Sequence, residues 1–264
     1  MKTALVTGAT DGVGRVVATR LAGQGWRVLA HGRNQERGEQ LAREIGATFL
    51  KADLSALAEG RRLAALVKAQ TAELQLLINN AGIGSVGDRP GRHESADGHE
   101  LRFAVNYLAG FQLTHLLLPL LKAGAPARIV NVSSAGQQAI DFDDVMLTRG
   151  YSGVRAYCQS KLAQILFTID LADELAGCGI VANCLHPSTY MNTTMVRQSG
   201  NTPISSVETG ADAIMQLAVS PRIDGKSGLY FNVMSESRAS PQAYDAKARA
   251  RLRKLSLELT GLKG

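Results

Sequence analysis

The sequence predicts an α/β fold, a parallel sheet with helices on both faces, and three observations carry that reading. Short β-rich runs alternate with longer helical patterns along most of the 264 residues. The first run passes through a glycine-rich loop directly into a helix. With 45% apolar and 20% charged residues, the composition is that of a globular chain and excludes disorder as the dominant state. The 27 glycines follow no collagen-like period, so they point to tight turns.

In chain order, the candidate strands fall at residues 3–7, 27–31, 48–52, 74–79, 128–133, 180–185 and 228–231, each short and mostly apolar. The helical stretches show apolar residues at three- and four-residue spacing over 13–22, 35–45, 57–71, 99–121, 154–176 and 209–218, with a last one near 241–259. Right-handed crossovers place such helices on both faces of one sheet. No repeat, low-complexity tract or Pro/Ser-rich linker marks a boundary, so residues 1–264 read as one domain, with the cofactor half at about 1–135 and the substrate half at about 136–264. Two segments interrupt the alternation: 137–150, which holds Asp141, Asp143 and Asp144, and 187 to about 206, rich in Ser, Thr and Asn. Both follow strand ends on the side of the sheet where ligands bind.

The net charge is +6, but residues 245–264 alone carry +4, so the rest of the chain is nearly balanced and nucleic acid is not an expected partner. The basic C-terminal helix reads as a solvated face. Three cysteines without a CxxC pattern suggest neither disulfides nor a metal site, and fit a reducing cytoplasm. The N-terminus runs from Met1-Lys2 straight into a strand and glycine loop, which leaves no signal-peptide region. The apolar run at 111–121, broken by His115 and Pro119, is too short to span a bilayer, so no integral membrane segment is expected and the protein reads as cytoplasmic. His93, His99 and His115 show no ligand spacing and read as surface or packing residues.

The glycine loop holds Gly8, Thr10, Asp11, Gly12, Val13 and Gly14 between strand and helix. Glycines there allow a sharp turn and close approach of backbone N–H groups to a pyrophosphate, and the helix N-terminus adds a positive potential. The spacing departs from G-x-G-x-x-G. The second strand ends Ala30-His31-Gly32-Arg33-Asn34 with no carboxylate for a ribose 2′-hydroxyl; Arg33 lies 19 residues past Gly14 and suits a 2′-phosphate, which predicts NADP(H) over NAD(H).

Tyr157 and Lys161 stand four residues apart on one helix face. A phenol with a pKa near 10 is a poor base at neutral pH, and a nearby ammonium favours its ionised form. The fifth strand ends in Ser133-Ser134, where a hydroxyl can bind a carbonyl oxygen while the tyrosine gives it a proton.

Thr7 to Gly14, Asp53-Leu54, Asn79-Asn80-Ala81-Gly82, Asn106, Val132-Ser133-Ser134 and Tyr157 to Lys161, in this order, resemble the short-chain dehydrogenase/reductase family. The 23-residue gap from Ser134 to Tyr157, the sequence from Arg155 to Ala163 and His186-Pro187 are similar to its retinol dehydrogenase and WW-domain oxidoreductase branch. The resemblance implies a single Rossmann-like domain with a seven-stranded parallel sheet, a nicotinamide cofactor and the tetrad Asn106, Ser134, Tyr157 and Lys161. It assigns Asp53 and Leu54 to the adenine, Asn80, Ala81 and Gly82 to the adenosine ribose, and Pro187, Ser188 and Thr189 to the nicotinamide side. Asn192 would bind the carboxamide, and Tyr157 and Lys161 also hold the nicotinamide ribose. Asp53 also reads as a helix cap, and Asn80 as a bridge between strands. Ser188 stands where the family usually has glycine, which adds bulk beside the nicotinamide. The implied activity is that of a ketoreductase: hydride exchange with a carbonyl or secondary alcohol of a small, apolar molecule. The alternatives are a cofactor-binding scaffold and an isomerase or dehydratase using transient oxidation. Many members pair through the helix that bears the tyrosine, which implies a homodimer or homotetramer, with a monomer as the alternative. The expected pocket walls are 83–92, 137–150 and 190–206.

Overall fold

A computed structural model describes residues 1–86 and 91–263. Its strands are β1 (Thr3–Val6), β2 (Arg27–Gly32), β3 (Thr48–Lys51), β4 (Leu76–Asn79), β5 (Ala127–Val132), β6 (Ile180–His186), β7 (Tyr230–Asn232) and β8 (Ser235–Ser237). The helices are α1 (Gly12–Gly23), α2 (Gln35–Ile45), α3 (Leu57–Gln70), α4 (Ala109–Ala123), α5 (Gly153–Glu174), α6 (Thr194–Gln198), α7 (Val207–Val219) and α8 (Ala246–Thr260). The strands form one sheet in the order β3-β2-β1-β4-β5-β6-β7-β8, parallel except where β8 turns back on β7. The seven expected strands are all present. The eighth escaped the sequence reading because Ser235-Glu236-Ser237 is a three-residue polar edge without the apolar alternation that marks a strand.

Alternation along the strands builds two apolar layers. Leu5, Leu29, Leu77 and Ile129 face α3, α4, α5 and α8, whereas Ala4, Val6, Val28, Leu76, Ile78 and Val130 face α1, α2 and α7. Each fully buried leucine contributes about 1.5–3 kcal/mol. The order of strands reverses between β1 and β4, which opens a crevice at their C-terminal ends.

The helix bounds follow local chemistry. Asn34 caps α2 by accepting from the Arg37 N–H at 2.9 Å, and Gly46 ends it in the left-handed region at φ 67°. α3 takes its cap from afar, where the Leu57 N–H donates to Asp97 at 2.8 Å. Asp53 instead closes a local turn by accepting from the Ser55 N–H at 3.0 Å. A π-helical turn at Phe103–Leu108 precedes α4. Together Phe103–Ala123 makes a 21-residue helix apolar enough, by length and composition, to cross a membrane, longer than the run read from the sequence; 67% of its apolar window is buried in the domain.

The basic C-terminal helix is the solvated face expected of it only in part, since Lys247, Arg251 and Lys254 are exposed while Arg249 and Arg253 are not. α8 packs on α5, and Arg249 pairs with Asp173, Arg251 with Asp143, and Arg253 with both Asp170 and Glu174. The acids lie on α5 and on the 137–150 segment, so the charge asymmetry of the tail is balanced within the chain. That segment is also clamped by Gln242, whose amide accepts from the Ile140 N–H and donates to the Ile140 carbonyl.

Candidate active site

The glycine loop leaves β1 and starts α1 at the crevice. Gly8 and Gly12 adopt φ of 65° and 52°, conformations that cost any other residue strain. A Cβ on Gly14 would collide with the Gly8 carbonyl oxygen and the Asn80 amide. Asn80 holds the loop against β4: its Nδ2 donates to the carbonyls of Thr7 at 2.8 Å and Gly8 at 3.1 Å, while the Thr7 hydroxyl accepts from the N–H groups of Asn80 and Ala81. Asn80 is therefore the bridge between strands that its alternative reading gave it. Thr10 packs against Gly32, leaving no room there for a side chain. Val13 is buried under the loop, and Asp11 caps α1 by accepting from the Gly12 N–H at 2.7 Å.

His31 had no role in the sequence reading. It accepts from the Gly8 N–H through Nδ1 at 3.2 Å, so its proton sits on Nε2, which donates to the Ala52 carbonyl at 3.2 Å. Burial pushes its pKa down to about 4, and the neutral ring ties the glycine loop to the ends of β2 and β3. Arg33, at the tip of β2, is exposed and makes no hydrogen bond or ion pair among the described residues. Neighbouring Arg37 pairs with Asp11 at 3.2 Å. Leu54 is buried and Asp53 exposed beside it.

On the other side of the crevice, β5 delivers Ser133 and Ser134. They do not share a direction. The Ser133 hydroxyl donates to the Lys161 carbonyl at 2.7 Å and so fastens α5 to the sheet. The Ser134 hydroxyl accepts from the Gly136 N–H at 3.0 Å and lies near the Tyr157 phenol, whose pKa it acts to lower. A Cβ built on Gly136 would lie 3.5 Å from Ser134 Oγ and 3.7 Å from the Tyr157 ring, so both groups border one small space.

Lys161 is buried, with Nζ donating to the Val132 carbonyl and to Gln164 Oε1, each at 3.0 Å, and lying 5.8 Å from the centre of the Tyr157 ring. Burial without an acidic partner draws its pKa down to about 7. Burial also raises the Tyr157 pKa, against a smaller lowering from Ser134. The ammonium, expected from its spacing to lower the phenol, contributes no such effect in the fold, where burial outweighs the influence of Ser134. His186 is held neutral by burial and by the charge of Lys161, with its Nε2 3.0 Å from Thr189 Oγ1.

Asn106 sits in the π-helical turn. Its Oδ1 accepts from the Ile83 N–H at 2.7 Å, and its Nδ2 donates to the Ile83 carbonyl at 3.1 Å and Ser160 Oγ at 3.0 Å. Gly82 fills the gap between: a Cβ there would stand 3.2 Å from Asn106 Oδ1 and 3.5 Å from Lys161 Nζ.

Pro187, Ser188 and Thr189 follow β6. The Ser188 hydroxyl donates to Ser205 Oγ at 2.9 Å, and Ser205 donates to the Thr189 carbonyl at 2.7 Å, so the residue that replaces glycine staples the base of the 190–206 segment. Asn192, assigned to a carboxamide, has its Oδ1 taken by Arg197 Nε at 3.0 Å. The short helix α6, missed because five residues leave no periodic signal, lies over the glycine loop: Thr193 would touch a Cβ on Gly12 at 3.3 Å, and Thr194 donates to Asp11 at 2.8 Å. Residues 87–90 of the expected 83–92 wall lie outside the described residues.

The donor set suits a dinucleotide. α1 leaves its first N–H groups without intrahelical acceptors beside a cradle that a side chain would fill, and a guanidinium unpaired among the described residues stands at the neighbouring strand tip. Residues 2–203 match the family model described as short chain dehydrogenase. The chain belongs to this family of oxidoreductases, which acts on alcohols and carbonyls with a nicotinamide cofactor. Within it, the chain falls in the retinol dehydrogenase-like branch. It is 37% identical to retinol dehydrogenase 13 of Homo sapiens, over 99% of this chain and 85% of that protein. To retinol dehydrogenase 12 of Homo sapiens it is 35% identical, over 99% and 87%. Among solved structures it resembles an uncharacterised protein of Mycobacterium paratuberculosis, with TM-score 0.82, 30% identity and coverage of 100% and 94%. It also resembles the Pseudomonas aeruginosa RhlG/NADP active-site complex, with TM-score 0.69, 28% identity and coverage of 88% and 94%.

Proposed function

We propose that the protein is an NADP(H)-dependent reductase or dehydrogenase acting on a carbonyl or alcohol of a small apolar molecule. The observation that carries this reading is the grouping of Ser134 Oγ and the Tyr157 ring about Gly136, with buried Lys161 Nζ 5.8 Å from that ring's centre and next to Gly82. When bound, the nicotinamide supplies or takes the hydride. In the reducing direction Ser134 donates a hydrogen bond to the substrate oxygen and Tyr157 gives it a proton. Lys161, with a pKa near neutrality, exchanges a proton readily and supports the ribose, and Asn106 fixes the wall beside it.

Exposed Arg33, without a hydrogen-bond or ion-pair partner among the described residues, supports NADP(H) over NAD(H), as does the nucleotide in the RhlG complex. Exposed Val86, Val154, Tyr190 and Ile204, in the segments that flank the crevice, support an apolar substrate, as does the alcohol named for the relatives. The glycine loop, Asn80 to Gly82 and Arg33 form the cofactor half, and residues 136–264 form the substrate half. The free thiols of Cys158, Cys178 and Cys184 fit a cytoplasmic setting. A homodimer or homotetramer would use faces other than the one α8 covers on α5. Turnover of NADPH against a panel of ketones and aldehydes tests the reading. Tyr157→Phe should lower kcat by at least about 10²-fold while nucleotide affinity stays within twofold; full turnover in that variant overturns the assignment.

A further inference from the structure

Glu100, Arg102 and Tyr151 meet on the substrate side of the site. Arg102 and Glu100 are each 1% exposed, which is rare for an arginine and a glutamate unless the two are paired. Arg102 Nη1 donates to the Tyr151 hydroxyl at 2.6 Å and to Glu100 Oε1 at 3.4 Å, Nε donates to the Gly84 carbonyl at 3.0 Å, and Nη2 to the Ser85 carbonyl at 2.7 Å. Tyr151 donates its own proton to Glu100 Oε1 at 3.1 Å, and Glu100 Oε2 accepts from the Phe103 N–H at 2.8 Å. No side-chain atom of the three is left buried without a partner.

A buried ion pair adds little net stability, because desolvation offsets most of its attraction. A fully satisfied one is rigid. What this knot holds is informative. Gly84 and Ser85 continue the loop whose Ile83 grips Asn106. Phe103 opens the π-helical turn that contains Asn106. Tyr151 stands two residues before Gly153, the start of α5, which carries Tyr157 and Lys161. Gly153 itself has no space for a side chain: a Cβ would collide with the Ser85 carbonyl and lie 3.5 Å from Arg102 Nη2. From Asn106 the chain of bonds runs on through Ser160 Oγ to the Tyr157 carbonyl.

We propose that Arg102 is a positioning residue for the reaction: its guanidinium, fixed by Glu100 and Tyr151, locks the 83–85 loop, the π-helical turn and the start of α5 in one register, so that Asn106, Tyr157 and Lys161 converge. The kinetic half of this proposal rests on the function proposed above; the structural half does not. The glycine loop takes its own support from His31 and Asn80, so the phosphate end of the nucleotide site is independent of the knot.

The test is Tyr151→Phe in the full-length protein, an isosteric change that leaves Arg102 and Glu100 each one bond short, with Glu100→Gln as a second variant should the first fold poorly. Amide hydrogen exchange at Ile83 and Phe103 should quicken at least about tenfold, and kcat should fall about 10- to 100-fold, the scale of a misplacement of about 1 Å. The Kd for NADPH should stay within twofold. Arg102→Lys, which keeps the charge but not the fork, should recover melting temperature relative to Arg102→Met without recovering kcat. Unchanged exchange at Ile83 and Phe103, or a lowered melting temperature with kcat intact, overturns the proposal. Should the unaltered protein turn over no carbonyl, the functional reading falls, and the exchange measurement alone decides on the positioning role.

Discussion

Arg33→Ala separates the two nucleotides that differ only by a 2′-phosphate. The guanidinium is exposed and unpaired among the described residues, so its removal should change folding stability by no more than about 0.5 kcal/mol. A hydrogen bond to a charged group contributes about 1.5–3 kcal/mol, which corresponds to a factor of about 10 to 150 in affinity. The nearest other cation on α2, Arg37, is engaged with Asp11 at 3.2 Å and would have to leave that pair to compensate, so the loss should fall at the upper end only where Arg37 stays in place. Titration calorimetry with NADPH and NADH on both proteins gives the ratio directly, because every contact common to the two nucleotides cancels. The expected result is a weakened NADPH complex with NADH binding unchanged. An equal NADPH Kd in the variant, or equal losses for both nucleotides, refutes the assignment of Arg33 to the 2′-phosphate.

The remaining predictions concern stability and the 190–206 segment. His31 is neutral in the fold with a pKa of about 4 and titrates near 6.5 once unfolded, so its contribution is complete above pH 6.5 and is lost as pH falls toward 4, by about 3 kcal/mol at most. His115 and His186, also lowered by burial, act with the same sign. Denaturant unfolding at pH 7.5 and 4.5 should therefore show a smaller acid loss in His31→Gln than in the parent; an identical loss would rule out His31 as a source. Ser188→Gly removes the hydroxyl that donates to Ser205 and adds backbone freedom, each worth about 0.5–1 kcal/mol, so the melting temperature should drop by about 2–6 °C. A rise in melting temperature would show that Ser188 strains the loop instead of stapling it.

The sheet and its covering helices were legible because burial imposes a period on the sequence: two along strands, about 3.6 along helices. The bounds of α2 at 35–45 emerged intact because a capping asparagine and a terminal glycine act through neighbouring residues. Elements without that signal were not legible. β8 is polar throughout, α6 spans five residues, and the cap of α3 comes from Asp97, 40 residues away.

The same division holds at the site. By itself the sequence determined which groups are available: a glycine turn at a helix start, an arginine where an acid would bind a ribose, and a tyrosine and lysine one helical turn apart. Those are local facts of spacing. Only tertiary structure decided what each group faces. Folding turned Ser133 into α5 and left Ser134 with Tyr157, drew Lys161 toward neutrality by removing water, and balanced the basic tail against acids on α5. It also made a strut of His31 and buried Arg102 among three segments distant in sequence. Desolvation and long-range hydrogen bonds depend on which chain segments meet, and no spacing along the sequence encodes that meeting.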